Sequence, residues 1–177
     1  GQLKLYCKDG LYRVEHLGMN QARIQLVDQI TPESIVLLDL LGEHVALRTP
    51  SAQLKEEQAK NNALVVKKNG GKINVAGYSC SQVLLCDVNG QNCISQVAYC
   101  PSLKGTFPEM PEFKGLPLKF DMQHEELTAH YEASTVEQIK LDRVLFSVPD
   151  GYTTVNTNEM KKLFNSILPV ALEGEVK

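Results

Sequence analysis

Apolar residues recur at every second position along most of the chain, the spacing of β-strands that bury one face. Leu3, Leu5 and Cys7 alternate with polar neighbours, Asp9-Gly10 follows, and Leu11–Leu17 is apolar again. Asp-Gly between two such runs predicts a hairpin. Ala22–Val27 alternates as well, and Ile35–Leu40 with His44–Arg48 flanks Leu41-Gly42-Glu43, a second predicted hairpin. Further strands are expected over Ala63–Lys67, Lys72–Ala76, Tyr78–Val88, Ile94–Tyr99, Leu116–Gln123, Glu126–Ala133 and Thr135–Arg143. Asn69-Gly70-Gly71 reads as a turn, and Asn89-Gly90 as a type I′ turn. In Leu116–Gln123 the alternation puts Leu116, Leu118, Phe120 and Met122 on one face and Lys119, Asp121 and Gln123 on the other.

Three segments break this period. Ser51–Asn62 is rich in helix formers and Ser51 is a candidate cap, but its thin apolar stripe also fits a polar linker. Leu103–Lys114 is broken by prolines and predicts an extended loop. Met160, Leu163, Phe164 and Ile167 fall at i, i+3, i+4 and i+7, which predicts a helix over Asn158–Leu168, capped by Asn156 or Thr157 and ended by Pro169. The tail Glu173–Lys177 is expected to fray. Many short strands with one or two helices predict a mainly β or α+β fold of antiparallel sheet, with the amphipathic helix as one cover for the dry faces.

A chain of 177 residues fits one domain and can bury a core without disulfides. With 43% apolar and 22% charged residues it has an ordinary globular balance. A net charge of −3 disfavours nucleic acid and anionic membrane surfaces as partners, since both require a dense basic patch. No apolar run reaches transmembrane length. Gly1 stands in place of an initiator Met, so the expectation is a mature segment cut from a longer chain.

Four of the five cysteines, Cys80, Cys86, Cys93 and Cys100, lie close together, and Cys7 stands apart. Their spacing lacks the close pairs of a zinc site, and no metal or other cofactor is expected. If Asn89-Gly90 is a two-residue turn, counting outward sets Cys86 beside Cys93, making them the disulfide candidates. The same register puts Cys80 and Cys100 on opposite faces, so a bridge between them needs a bulge or a slip. Buried thiols are the competing reading. A disulfide would imply an oxidising compartment. His16, His44, His124 and His130 show no metalloprotease spacing, and no Gly-x-Ser-x-Gly, P-loop or dinucleotide fingerprint is present. No catalytic residue is assigned, and a binding role is expected in place of an enzymatic one.

Three segments in order carry a resemblance: Val75-Ala76-Gly77-Tyr78-Ser79-Cys80, then Gly115-Leu116-Pro117-Leu118-Lys119-Phe120-Asp121-Met122, then Leu145-Phe146-Ser147-Val148-Pro149-Asp150-Gly151-Tyr152. They resemble an uncharacterised bacterial envelope family (DUF4412-like) that is similar to the LolA, LolB and LppX lipoprotein carriers. Each motif alone is weak, and the match spans about residues 64 to 155. The resemblance implies a single domain over 1–177 built as a curved, open half-barrel of antiparallel strands with helices on its concave side. It implies a periplasmic or outer-membrane-associated protein with its signal peptide removed, a monomer whose partner is a lipid or lipoprotein acyl chain. The inward residues Tyr78, Val83, Leu116, Leu118, Phe120 and Met122 would then bind the ligand through apolar burial. The alternative is an envelope structural or interaction module with a filled core, whose partner meets a sheet edge or the proline-bearing segment 101–117.

Overall fold

The structure, a computed structural model, describes every residue except 19–21, 41, 55–64, 88, 109, 111–112, 125–126 and 174–177. For 68–69, 94, 123–124, 127 and 166–173 it describes the backbone alone. The strands run in order β1 Gln2–Lys8, β2 Leu11–Leu17, β3 Ala22–Asp28, β4 Glu33–Leu40, β5 Glu43–Pro50, β6 Val65–Val75, β7 Tyr78–Cys86, β8 Cys93–Cys100, β9 Leu116–His124, β10 Leu127–Glu132 and β11 Thr153–Val155. A helix, α1, spans Thr157–Glu173. The fold is mainly β, as the period-2 pattern predicts. The strands form two sheets, ordered β1-β2-β3-β4-β5-β11 and β10-β9-β8-β7-β6. Two compact units contain them: residues 1–56 with 142–177, and residues 57–141.

In the first unit five strands follow one another as antiparallel neighbours. Asp9 and Gly10 both have positive φ, the requirement of a type I′ hairpin turn, so Asp-Gly closes β1 onto β2 as expected. Leu26, Leu37 and Ala46 form the core of one face, and Val148 and Tyr152 pack on them from the segment that returns after the second unit. Arg13 on β2 anchors the same segment by donating to the Leu145 carbonyl at 3.1 Å. β11 then pairs with β5 in parallel, the one departure from an antiparallel ladder among the described strands.

Asn156 caps α1: its Oδ1 accepts from the Asn158 and Glu159 backbone N–H, while Glu159 Oε2 accepts from the Asn156 N–H. This reciprocal box satisfies donors that a helix start leaves open. The helix runs on past Pro169, which was expected to end it. Proline removes one donor and crowds the preceding turn, so it weakens a helix without always stopping it. Met160 is buried while Phe164 is exposed, and α1 meets β5 and β11 at the sheet's edge. Of the remaining predicted stripe, Leu163 is half-buried and the Ile167 side chain lies outside the described set.

The second unit departs from expectation at two turns, Asn69-Gly70-Gly71 and Asn89-Gly90. Asn69-Gly70-Gly71 is no turn: β6 is one continuous strand with a register shift between Lys68 and Lys72. An added Cβ at Gly71 would stand 2.4 Å from Gln82 Oε1, so the bulge brings backbone against a cross-strand side chain. The β6–β7 turn falls on Ala76-Gly77, both at positive φ. At the β7–β8 turn Gly90 has positive φ, and the turn is longer than the two residues of type I′. Asp87 N–H instead donates to the Asn92 carbonyl at 2.8 Å, and Gly90 N–H to the Asp87 carbonyl at 2.8 Å. The Asp87 carboxylate accepts from the Gln91 N–H and then from Asn92 Nδ2, which holds it below the usual carboxylate range.

Thr135–Arg143 was expected to be a strand. It is irregular up to Asp142, followed by a 3-10 turn over Arg143–Phe146. The segment packs Val136 on the second unit's core and Gln138 Nε2 on the Tyr78 hydroxyl instead of joining a ladder. Of the predicted helix Ser51–Asn62, residues 51–54 are helical and the rest lie outside the described residues.

Gly115 tests the second unit's packing. Its φ is +134°, and an added Cβ would lie 2.4 Å from the Cys100 carbonyl oxygen and 2.9 Å from Pro101 Cα. Both partners are backbone and cannot swing aside. Gly115→Ala should therefore cost about 3 kcal/mol or more, backbone strain and overpacking combined. Gly77→Ala, with positive φ but open space around it, should cost only about 1–2 kcal/mol. Urea unfolding midpoints of the two variants provide the comparison.

Candidate functional site

The six residues expected to line an acyl-chain hollow all sit in the second unit and do not form one lining. Val83, Leu118 and Phe120 are 2%, 5% and 5% exposed. Tyr78, Leu116 and Met122 are half-buried. Tyr78, Leu116 and Leu118 pack with Val75, Cys80, Ala98, Cys100 and Leu103. Phe120 belongs to an aromatic stack, 5.3 Å between ring centroids from both Phe107 and Tyr131. Val83 lies opposite Val97 on the neighbouring strand, and Met122 opposite Ala129. A register shift between Ala98 and Tyr99 lies beside Leu118 and interrupts the simple alternation read for this strand.

The segment between β8 and β9 supplies the cover. It was expected to be an extended loop; it is a series of turns, with Met110 N–H on the Phe107 carbonyl at 2.9 Å and Phe113 N–H on the Met110 carbonyl at 3.5 Å. Phe107, Met110 and Phe113 are 1%, 7% and 3% exposed. Phe113 stacks on Tyr99 at 5.1 Å, and Phe107 meets Phe120 with its ring tilted. The signal for this fold was present: Leu103, Phe107, Met110 and Phe113 recur every three or four residues between the prolines.

A half-open cleft in this unit has a volume of about 470 Å3 and is lined by the charged or titratable side chains of Lys119, Asp121, His130 and Glu132 together with Tyr131. The β9–β10 register sets Asp121 opposite His130 and Lys119 opposite Glu132. His130 Nδ1 is 2.6 Å from Asp121 Oδ1, and Lys119 Nζ is 2.8 Å from Glu132 Oε2. β10 stands at the sheet edge, so the two pairs border an open strand. The arrangement sets an ammonium, an imidazole and two carboxylates side by side in two cross-strand pairs. The sequence missed it, although a two-residue bend at Glu125-Glu126 counts outward to the same pairs. Residues 125–126 themselves lie outside the described residues.

Cys86 and Cys93 form the expected disulfide, S–S 2.09 Å. Cys7, Cys80 and Cys100 are free thiols. Burial, then the charge and hydrogen bond of neighbouring Cys100, pushes the Cys80 thiol from 9.0 up to about 11. Among the described residues no group of three or more His, Cys, Asp or Glu could hold a metal ion, and no helix is long and apolar enough to cross a membrane.

No family model matches the chain, and no curated protein matches it. One solved structure, described as PNGF-II in a C2 crystal form, aligns over 86% of this chain at 15% identity with a TM-score of 0.49. The chain spans 29% of that protein's length.

Two substitutions should separate core from surface. Phe107→Ala should cost about 3–5 kcal/mol in urea unfolding, since it opens a cavity above Phe120. Asp121→Asn, which breaks an exposed pair, should cost no more than about 1 kcal/mol. Alkaline stability is a further check on the reduced protein. A thiol that keeps its proton longer when folded contributes stability fully below pH 9.0, and that contribution is lost as pH rises through about 11. The wild type should lose stability over that window relative to Cys80→Ala, measured by urea melts at stepped pH.

Proposed function

We propose that this chain is an extracytoplasmic interaction module of the cell envelope with filled cores, whose partner meets the charged β9–β10 face and the β10 edge. The observation that carries the reading is the burial of Val83, Leu118 and Phe120 together with Phe107, Met110 and Phe113 of the same chain. Carriage of an acyl chain draws on apolar side chains that line an open hollow. Here Phe107 already occupies the surface of Phe120 that such a ligand would use.

The β10 edge supports the assignment of the partner surface. An edge strand presents unpaired N–H and C=O groups on its outer side, to which an extended peptide adds as a further strand. Lys119, Asp121, His130 and Glu132 would set which peptide fits, by charge. The Cys86–Cys93 disulfide supports a location outside the cytoplasm, where such bridges persist.

An apolar fluorescent dye titrated into the purified protein tests the reading, with fatty acid as competitor. The expected result is no saturable fluorescence gain and no fatty-acid displacement. Saturable dye binding that fatty acid reverses, and that Phe120→Trp alters, would overturn the filled core and restore acyl-chain binding.

A further inference from the structure

We propose that Cys80 and Cys100 are the two halves of a second disulfide, one that clamps β7 to β8 inside the second unit. The counted register of the hairpin sets these residues on opposite faces. The structure contains the slip that a bridge requires. Cys86 pairs with Cys93, but Leu85 pairs with Ser95, so Ile94 is an extra residue on β8. Beyond it the ladder runs Val83 with Val97 and Ser81 with Tyr99. Continued by one residue, that register opposes Cys80 to Cys100.

Side-chain contacts agree with this register. Cys100 lies near enough to Cys80 to raise its thiol pKa, an effect second only to burial. Both residues are 0% exposed and belong to the same apolar cluster, with Val75, Ala98, Leu103 and Leu118 around them. Directly opposed residues of an antiparallel pair have Cα atoms about 4.5–5.5 Å apart, inside the span of about 4.4–6.8 Å that disulfides bridge. The remaining polar contacts of the two sulfurs are local and weak, to the Tyr78 carbonyl at 3.6 Å and the Ser102 hydroxyl at 3.1 Å. Neither holds a sulfur away from its neighbour.

The chemistry is thiol–disulfide exchange with a small-molecule or protein disulfide as oxidant. The thiolate of one cysteine attacks a sulfur of the oxidant and expels its first half as a thiol. The second cysteine then attacks the protein sulfur of that mixed disulfide, forms the Cys80–Cys100 bond and releases the second thiol. Two protein thiols become one disulfide, and the two electrons and two protons end on the two released thiols. Burial sets when this happens. Oxidants reach the pair before β7 and β8 close, so the bridge forms as the chain folds, and afterwards the same burial shields it from reductant. Cys93 is exposed, so the hairpin-end bridge stays open to exchange.

A thiol count on wild-type protein, refolded with oxidised glutathione and then denatured without reductant, tests the proposal. Of five cysteines, one bridge leaves three thiols and two bridges leave one. The expected result is one, Cys7. Cleavage at Lys72, Asp87 and Lys104 separates Cys80 and Cys86 from Cys93 and Cys100. In the Cys86→Ala/Cys93→Ala variant those two peptides should stay linked until reduced. Closing this longer loop should also raise the wild-type Tm by about 6–12 °C over the Cys80→Ala/Cys100→Ala variant under non-reducing conditions. Three thiols in the refolded wild type, or a linked peptide that contains Cys7, would overturn the proposal. The wild-type count decides it even where a variant fails to fold.

Discussion

The register of β8 against β7 is the constraint on which the second unit depends. Side chains on a strand alternate between faces, so one inserted residue transfers every later residue to the other side. Ile94 is that residue. Without it Cys80 and Cys100 would point apart, and Val83 would not lie opposite Val97. With it, small apolar and sulfur side chains meet on one side while Val83 and Val97 meet on the other. The sheet buries residues on both faces because of this shift, and each face then needs a cover.

Each unit covers its sheet with its own chain. In the second unit the turns between β8 and β9 place Phe107, Met110 and Phe113 in the interior, and Phe107 and Phe120 pair at 5.3 Å with their rings tilted by 45°. In the first unit the segment after Asp142 does the same with Val148 and Tyr152, held by the Arg13 bond to the Leu145 carbonyl. The open strand β10 and the paired charges beside it are the polar features left over once the apolar faces are closed.

The readable parts of this fold are the ones set by local chemistry. Asp9-Gly10 specifies its turn because both positions tolerate positive φ. Asn156 and Glu159 specify a helix start because their spacing lets each bond the other's backbone. Cys86 and Cys93 were legible because only four residues lie between the Asp87–Asn92 bond that closes the turn. What failed was set by distant partners. Asn69-Gly70-Gly71 reads as a turn, yet β7 is long enough to pair with both halves and turns it into a bulge. The segment 101–115 reads as a surface loop by its prolines, and only the aromatic faces of Tyr99 and Phe120 give its apolar residues a place inside. The candidate lining is spread over a core cluster, an aromatic group and strand pairs for the same reason: alternation names a dry face, but not what dries it.

The parallel pair β5–β11 bears on how the two units are related in sequence. Antiparallel neighbours can be joined by two residues, whereas parallel neighbours need a long crossover. Here the crossover contains the whole of residues 57–141, a compact unit with its own sheet. The first unit's sheet is therefore completed only after the second has been traversed, by a three-residue strand and a helix that meets β5 and β11. Loop-closure entropy grows slowly with length, so an insertion of this size costs the first unit only a little more than a short crossover would. The capping box at Asn156 and the long-range Arg13 anchor on Leu145 offset that cost with bonds on either side of β11. The segment around Val148 and Tyr152 packs on Leu26, Leu37 and Ala46 immediately ahead of β11 in the chain, which holds the returning backbone beside β5 where Thr153, Thr154 and Val155 meet Val45, Ala46 and Leu47.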